Sequence, residues 1–178
     1  DWYERLFASD GGEYSTLLDL CCGTGTLACL MAERGYEMIA ADASPDMLMS
    51  ARDKAERLPE GAAAPLLICQ SAEELDLYGT VDAAYSSLDS FSYLPRQAMP
   101  DVLRRLHLFV RPGGLLIFDI RTEDFLRGMD AQAWVDETED VLCLWRGRFD
   151  EETMSRVYGM DIFTRGGEYG RRDGEEQG

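Results

Sequence analysis

Short apolar runs recur along the first two thirds of the chain, at residues 16–20, 36–42, 65–70, 81–86 and 115–120. Each has the length of a strand, and near-continuous hydrophobicity is the mark of a strand covered on both faces. Between the runs the period lengthens. Residues 26–34 carry Leu27, Leu30 and Met31 on one helical face before a stop at Gly35. Ser44-Pro45 reads as an N-cap with proline at the first helical position, and Leu48, Ala51, Ala55 and Leu58 continue as an apolar stripe. Val102, Leu103, Leu106, Phe109 and Val110 make a third stripe, ended by Arg111-Pro112-Gly113-Gly114. Strand and helix in this rhythm predict an α/β fold, a doubly wound and mainly parallel sheet.

From residue 121 the pattern changes. "VLCLWRGRF" (141–149) and "SRVYGMDIFTR" (155–165) are joined by "DEETM", and "EYGRR" follows a glycine pair. This predicts a small antiparallel β insertion near the C-terminus, a hairpin with a short third strand. The organisation expected is a core domain over 1–120 and a hairpin insertion or cap over 121–178. A hairpin forming the antiparallel edge of the main sheet is the alternative. The charged "EDFLRGMD" ahead of it reads as a solvated helix or loop. The chain starts without methionine and ends without a last helix or strand pair, which predicts an incomplete C-terminus. A homodimer would then form through the insertion or through an exposed sheet edge.

Charge narrows the function. With 34 acidic against 17 basic side chains the net charge is −17, which argues against a nucleic-acid footprint. No run of 18 apolar residues and no leader pattern is present, so a cytoplasmic protein without a membrane partner is expected. Five cysteines without regular spacing do not make a disulfide framework. Adjacent Cys21 and Cys22 cannot chelate like a C-x-x-C pair, and the single histidine, His107, is distant in sequence, so no metal is expected. His107 falls outside its helix's apolar stripe and reads as a surface residue.

In such a sheet, ligands bind beyond the carboxyl ends of the strands, near the reversal of strand order. The residues to weigh are therefore Asp19 to Gly25, Asp42-Ala43, Gln70 to Glu73, Ser86 to Asp89 and Asp119 to Arg121. Gly23-Thr24-Gly25-x-x-Ala28 fits the loose dinucleotide fingerprint, with Asp42 placed as a ribose-binding acid. Alone, that also suits an NAD-binding oxidoreductase-type domain. Asp19, four residues before Gly23, suits a ligand carrying an amino group better than a pyrophosphate.

"LLDLCCGTG", "AERGYEMIAADASPDMLMSAR", "GTVDAAYSSLDSFSYL" and "RPGGLLIFDI" follow one another over about residues 14–120. Together they resemble the successive motifs of the Rossmann-like S-adenosylmethionine-dependent methyltransferases. More loosely, the chain resembles the small-molecule type with an antiparallel insertion after the fifth strand. The resemblance implies S-adenosylmethionine as cofactor and methyl transfer to a small-molecule substrate, releasing S-adenosylhomocysteine.

It also implies roles. Gly23 and Gly25 would admit the methionine part of the cofactor and Asp19 would orient its ammonium. Asp42 would accept both ribose hydroxyls, Ala43 and Met47 would pack on the adenine, and Ser71 and Ala72 would meet its edge. Ser86 and Leu88 would close over the methionine end. Cys21 stands where that family usually has glycine or another small residue, and Ser71 where an acid is often found. Asp89, Tyr93 and Arg121 are candidates for the acceptor side, with Trp145 and Tyr158 of the insertion as further lining. No general base is evident, and catalysis would rest on alignment of acceptor, methyl and sulfur. A module that binds the cofactor without turnover is the other alternative.

Overall fold

A computed structural model describes residues 2–128, 132–166 and 169–177. The chain divides into two compact units, residues 1–90 with 97–119 and residues 91–96 with 120–178.

In the first unit five strands form one parallel sheet. They are β1 (Thr16–Leu20), β2 (Glu37–Asp42), β3 (Leu66–Cys69), β4 (Val81–Ser86) and β5 (Val110–Phe118), in the order β3-β2-β1-β4-β5. The order reverses between β1 and β4, whose register sets Asp19 beside Tyr85. Leu17, Leu18, Leu20, Ala40, Ala83 and Ala84 are all buried, as their unbroken hydrophobicity predicts. Helices α2 (Thr26–Ala32), α3 (Pro45–Ala55) and α4 (Met99–Phe109) occur between successive strands. Ser44 caps α3 as expected, its hydroxyl accepting the Met47 amide at 3.3 Å, with Pro45 in the first turn.

Three elements depart from the sequence reading. A helix α1 (Trp2–Asp10) precedes the sheet, with Phe7 buried and stacked on Tyr14 at 4.7 Å. On α2 the buried positions are Ala28, Cys29, Met31 and Ala32: Met31 is core as expected and Leu27 packs partly against the core, while Leu30 is exposed. β5 begins at Val110, five residues earlier than expected. It passes through Pro112-Gly113-Gly114 by a shift of register against β4, where Val81 pairs with Val110 and Ala83 with Leu115, so the proline sits at a bulge where a residue without an N–H is tolerated.

Asp82, at the start of β4, ties the amino ends of the sheet together. It accepts the Ser15 and Thr16 amides at 2.8 and 2.9 Å, the Ser15 hydroxyl at 2.9 Å and the Arg111 guanidinium at 2.7 Å. These donors, the Thr16 amide foremost, hold its carboxyl down at about 2.

The second unit is an antiparallel sheet in sequential order. Its strands are β6 (Ala133–Glu137), β7 (Val141–Asp150), β8 (Ser155–Thr164) and β9 (Tyr169–Gln177), preceded by a short helix α5 (Glu123–Gly128). The hairpin β7–β8 falls where the alternation places it, and β6 is a strand the sequence reading missed. Met129 and Asp130 of the "EDFLRGMD" stretch and Glu168 of "EYGRR" lie outside the described residues. In this unit Arg156 is fully buried between the rings of Trp134 and Tyr158, at 5.2 and 4.7 Å.

Candidate functional site

The turn after β1 is built on backbone that only small residues adopt readily. Cys21, Gly23 and Gly25 all have positive φ, at 59, 53 and 66°. Cys21 thus occupies a left-handed position that favours glycine, at a cost on the order of 1 kcal/mol. A side chain at Gly23 would meet nothing within 4 Å, so the loop's open side is there. Gly25 is small for another reason: a Cβ would sit 2.7 Å from that of Ala51, so it lets the loop pack on α3. Packing thus gives Gly25 a reason to be small beside any part it has in admitting a ligand.

Asp42 organises the same loop. Its two oxygens accept the Gly23 amide at 2.8 Å and the Ser44 amide at 2.9 Å. A carboxylate offers about four acceptor directions, so both oxygens retain capacity for a second donor. Lys54, one turn beyond Ala51 on α3, donates to the Thr24 and Thr26 hydroxyls at 2.6 Å each. The sequence reading passed over this tether. The signal was present, since Lys54 shares a helix face with Ala51.

Asp19 is 1 % exposed, and its Oδ2 has no hydrogen-bond partner among the described residues; nor has the Tyr85 hydroxyl or that of Ser86. Burial raises the Asp19 carboxyl to about 7; the Tyr85 hydroxyl, its neighbour in register though outside hydrogen-bond geometry, and the Ala28 amide pull it partly back. Burial, reinforced by Asp42 and Asp19, likewise pushes the Cys21 and Cys22 thiols up to about 12, so neither is a thiolate nucleophile near neutral pH.

A cleft of about 660 Å³ opens at this point, within the first unit. Asp19, Cys21, Gly23 and Leu88 of the expected residues line it, as do Trp2 and Tyr3 of α1, Leu27 and Leu30 of α2, and Asp119 after β5. Asp42, Ala43, Met47, Ser71 and Ala72 do not line it. They lie at and beyond the ends of β2 and β3, where Asp42 pairs in register with Cys69. Met47 is 45 % exposed, so it is not core, and the Ser71 hydroxyl bonds Glu74 at 3.2 Å. Leu88 and Asp89 both have positive φ, and the Asp89 amide donates to Asp119 at 2.9 Å.

Within the second unit, Arg121 lies over the Phe125 ring at 4.6 Å, and Tyr93 is half exposed in a short 3-10 turn. The Trp145 indole donates to Asp136 at 2.9 Å, and Tyr158 packs beside Arg156. What the sequence reading missed at the cleft is α1. Tyr3 and Phe7, one helical turn apart ahead of Gly11-Gly12, were its signal.

Strand order, a glycine turn after β1 and an acid ending β2 define a Rossmann-like domain whose cleft lies where the strand order reverses. The chain belongs to the methyltransferase domain family, which residues 17–114 match. It is 28 % identical over 178 residues to the candidate methyltransferase YqeM of Bacillus subtilis, covering 97 % of this chain and 70 % of that protein. It is 31 % identical over 121 residues to glycine N-methyltransferase of Rattus norvegicus, covering 62 % of this chain and 41 % of that enzyme. A solved S-adenosylmethionine-dependent methyltransferase from Clostridium acetobutylicum superposes with a TM-score of 0.84 at 26 % identity, over 99 % of this chain and 71 % of that one. The chain is an S-adenosylmethionine-dependent methyltransferase with a Rossmann-like fold.

Proposed function

We propose that the chain transfers a methyl group from S-adenosylmethionine to a small-molecule acceptor, with the cofactor's methionine end in the cleft at Asp19. The observation that carries this is the buried Asp19 oxygen without a partner, facing a cleft beside the open backbone of Gly23. An ammonium supplies the missing donor and favours the charged carboxylate. Asp42 takes the ribose hydroxyls on the acceptor directions its two loop amides leave. Ala43 and Met47 offer apolar surface to the adenine, and Ser71 and Ala72 its edge. Leu88, with Ser86 beneath it, borders the methionine end.

The sulfonium, when bound, supplies an activated methyl and a neutral leaving group. The protein's part is alignment and exclusion of water. Asp89, Tyr93, Arg121, Trp145 and Tyr158 remain candidates for holding the acceptor. Among the described residues no helix is long and apolar enough to cross a membrane. We place the protein in the cytoplasm, with a homodimer through the antiparallel sheet or the outer edge of β5 as its expected assembly.

Calorimetric titration with S-adenosylhomocysteine and, separately, NADH tests the reading on the parent chain and on Asp42→Ala. S-adenosylhomocysteine binds, and the variant weakens it about tenfold or more, as loss of a charged acceptor does. Binding of NADH with silence toward S-adenosylhomocysteine overturns the assignment.

A further inference from the structure

We propose that the methyl acceptor is a small amine, drawn in as its ammonium by Asp119 beside the rings of Trp2 and Tyr3. This rests on the methyl-transfer reading above and names its substrate class.

Charge is the first argument. The described lining of the cleft carries two carboxylates, Asp19 and Asp119, and no lysine, arginine or histidine. Asp19 is buried and meets the cofactor's ammonium in that reading. Asp119 lies exposed just past β5, on the same cleft, and is left for a second cation. Its position is set from both sides. It follows directly on β5, and its Oδ2 accepts the Asp89 amide from a turn held in the left-handed region at Leu88 and Asp89.

Aromatic surface is the second argument. Trp2 and Tyr3 meet edge to face at 5.1 Å, and Tyr3 packs on Tyr85 at 4.9 Å. Ring faces of this kind attract cations. Burial first, and then the Asp119 and Asp19 charges, raise the Tyr3 phenol, so it keeps its proton on the lining of the same cleft.

The charge of the described lining favours an amine over the other acceptor classes. A carboxylate or thiolate acceptor is repelled by Asp119. An alcohol needs a strong base at its oxygen, and among the described residues no histidine or lysine lines the cleft. An amine needs only to lose one ammonium proton, which leaves to solvent at the exposed Asp119. Its lone pair then forms the new N–C bond while the C–S bond breaks and that electron pair stays on sulfur. The products are an N-methylammonium and neutral S-adenosylhomocysteine.

The test is turnover of labelled S-adenosylmethionine with benzylamine, benzyl alcohol, benzyl mercaptan and benzoic acid, and with the matching butyl series. The amines are methylated at least tenfold faster than their partners, and their kcat/KM rises with pH toward the pKa of the free amine. Asp119→Asn, which keeps an acceptor for the Asp89 amide but loses the charge, lowers amine kcat/KM at least tenfold. It leaves S-adenosylhomocysteine affinity within twofold. Faster methylation of an alcohol, thiol or acid overturns the proposal. So does an unchanged Asp119→Asn variant, or a parent protein that binds S-adenosylhomocysteine and methylates no amine. Absence of S-adenosylhomocysteine binding instead sinks the methyl-transfer reading on which the proposal rests.

Discussion

Each of the two units buries an ionisable side chain, and they treat it differently. In the parallel unit Asp19 is buried beside Tyr85 of the neighbouring strand, yet it lines a cleft. In the antiparallel unit Arg156 is enclosed, with no hydrogen-bond partner for its three nitrogens among the described residues and two aromatic rings against its faces. A buried charge that opens on a cavity is a binding group. A buried charge sealed by rings is a packing element, held by cation–π attraction and by the bare backbone of Gly147 beneath it. Asp82 marks the third case, a carboxylate with four donors, which is structural.

The contrast breaks most sharply at Asp19. Asp19→Asn weakens S-adenosylhomocysteine binding by about 30-fold or more, because a charge-assisted pair is lost. The same change stabilises the ligand-free chain at pH 8 by roughly 2–4 kcal/mol, measured by urea denaturation. The sign follows from a folded-state carboxyl raised to about 7 above an ordinary unfolded value near 3.8. The folded state holds the proton more tightly, so this group's contribution is greatest below the unfolded value and is lost as pH rises toward 7. The parent's affinity correspondingly falls as pH drops below 7, and the variant's does not. Loss of binding together with loss of stability in Asp19→Asn would make the residue structural.

Asp82→Ala sharpens the other side. Removing four hydrogen bonds costs about 3 kcal/mol, with cofactor affinity unchanged, since Asp82 sits at the opposite ends of the strands. Its carboxyl is held at about 2, so its stabilisation is complete above the unfolded value and is lost as pH falls toward 2.

Arg156→Met tests the sealed charge. Replacing a buried guanidinium by an apolar chain of similar length leaves stability equal or raises it by up to about 2 kcal/mol. A drop of more than 2 kcal/mol in the same denaturation measurement would show that the ring contacts outweigh the cost of burial. The smallest effect falls at Cys21. Cys21→Gly relieves a positive φ and changes stability by at most about 1 kcal/mol, with binding preserved, as a melting curve and one titration will show.

Much of this was legible before any coordinates. β1 and β4 run over the residues their apolar runs marked, because a strand covered on both faces writes its burial directly into composition. The Ser44-Pro45 start of α3 was equally plain, being a matter of local hydrogen bonding. The glycine turn and Asp42 were readable too, since parallel pairing of successive strands brings their carboxyl ends together.

What the sequence did not disclose depends on neighbours distant in the chain. β5 tolerates its Pro-Gly-Gly segment because its register shifts there against β4, a bulge that pairing with a distant strand sets. Leu27 and Leu30 line a cleft while Ala28, Met31 and Ala32 are buried, a division set by which face of α2 packs on the core. Trp2 and Tyr3 became part of the cleft through the packing of α1, and Asp119 through its meeting with the turn at Asp89. Composition and period determined which elements form and in what order. The protonation of Asp19, the role of Gly25 and the burial of Arg156 were decided by tertiary contact alone, because desolvation and close approach have no signature in a single residue.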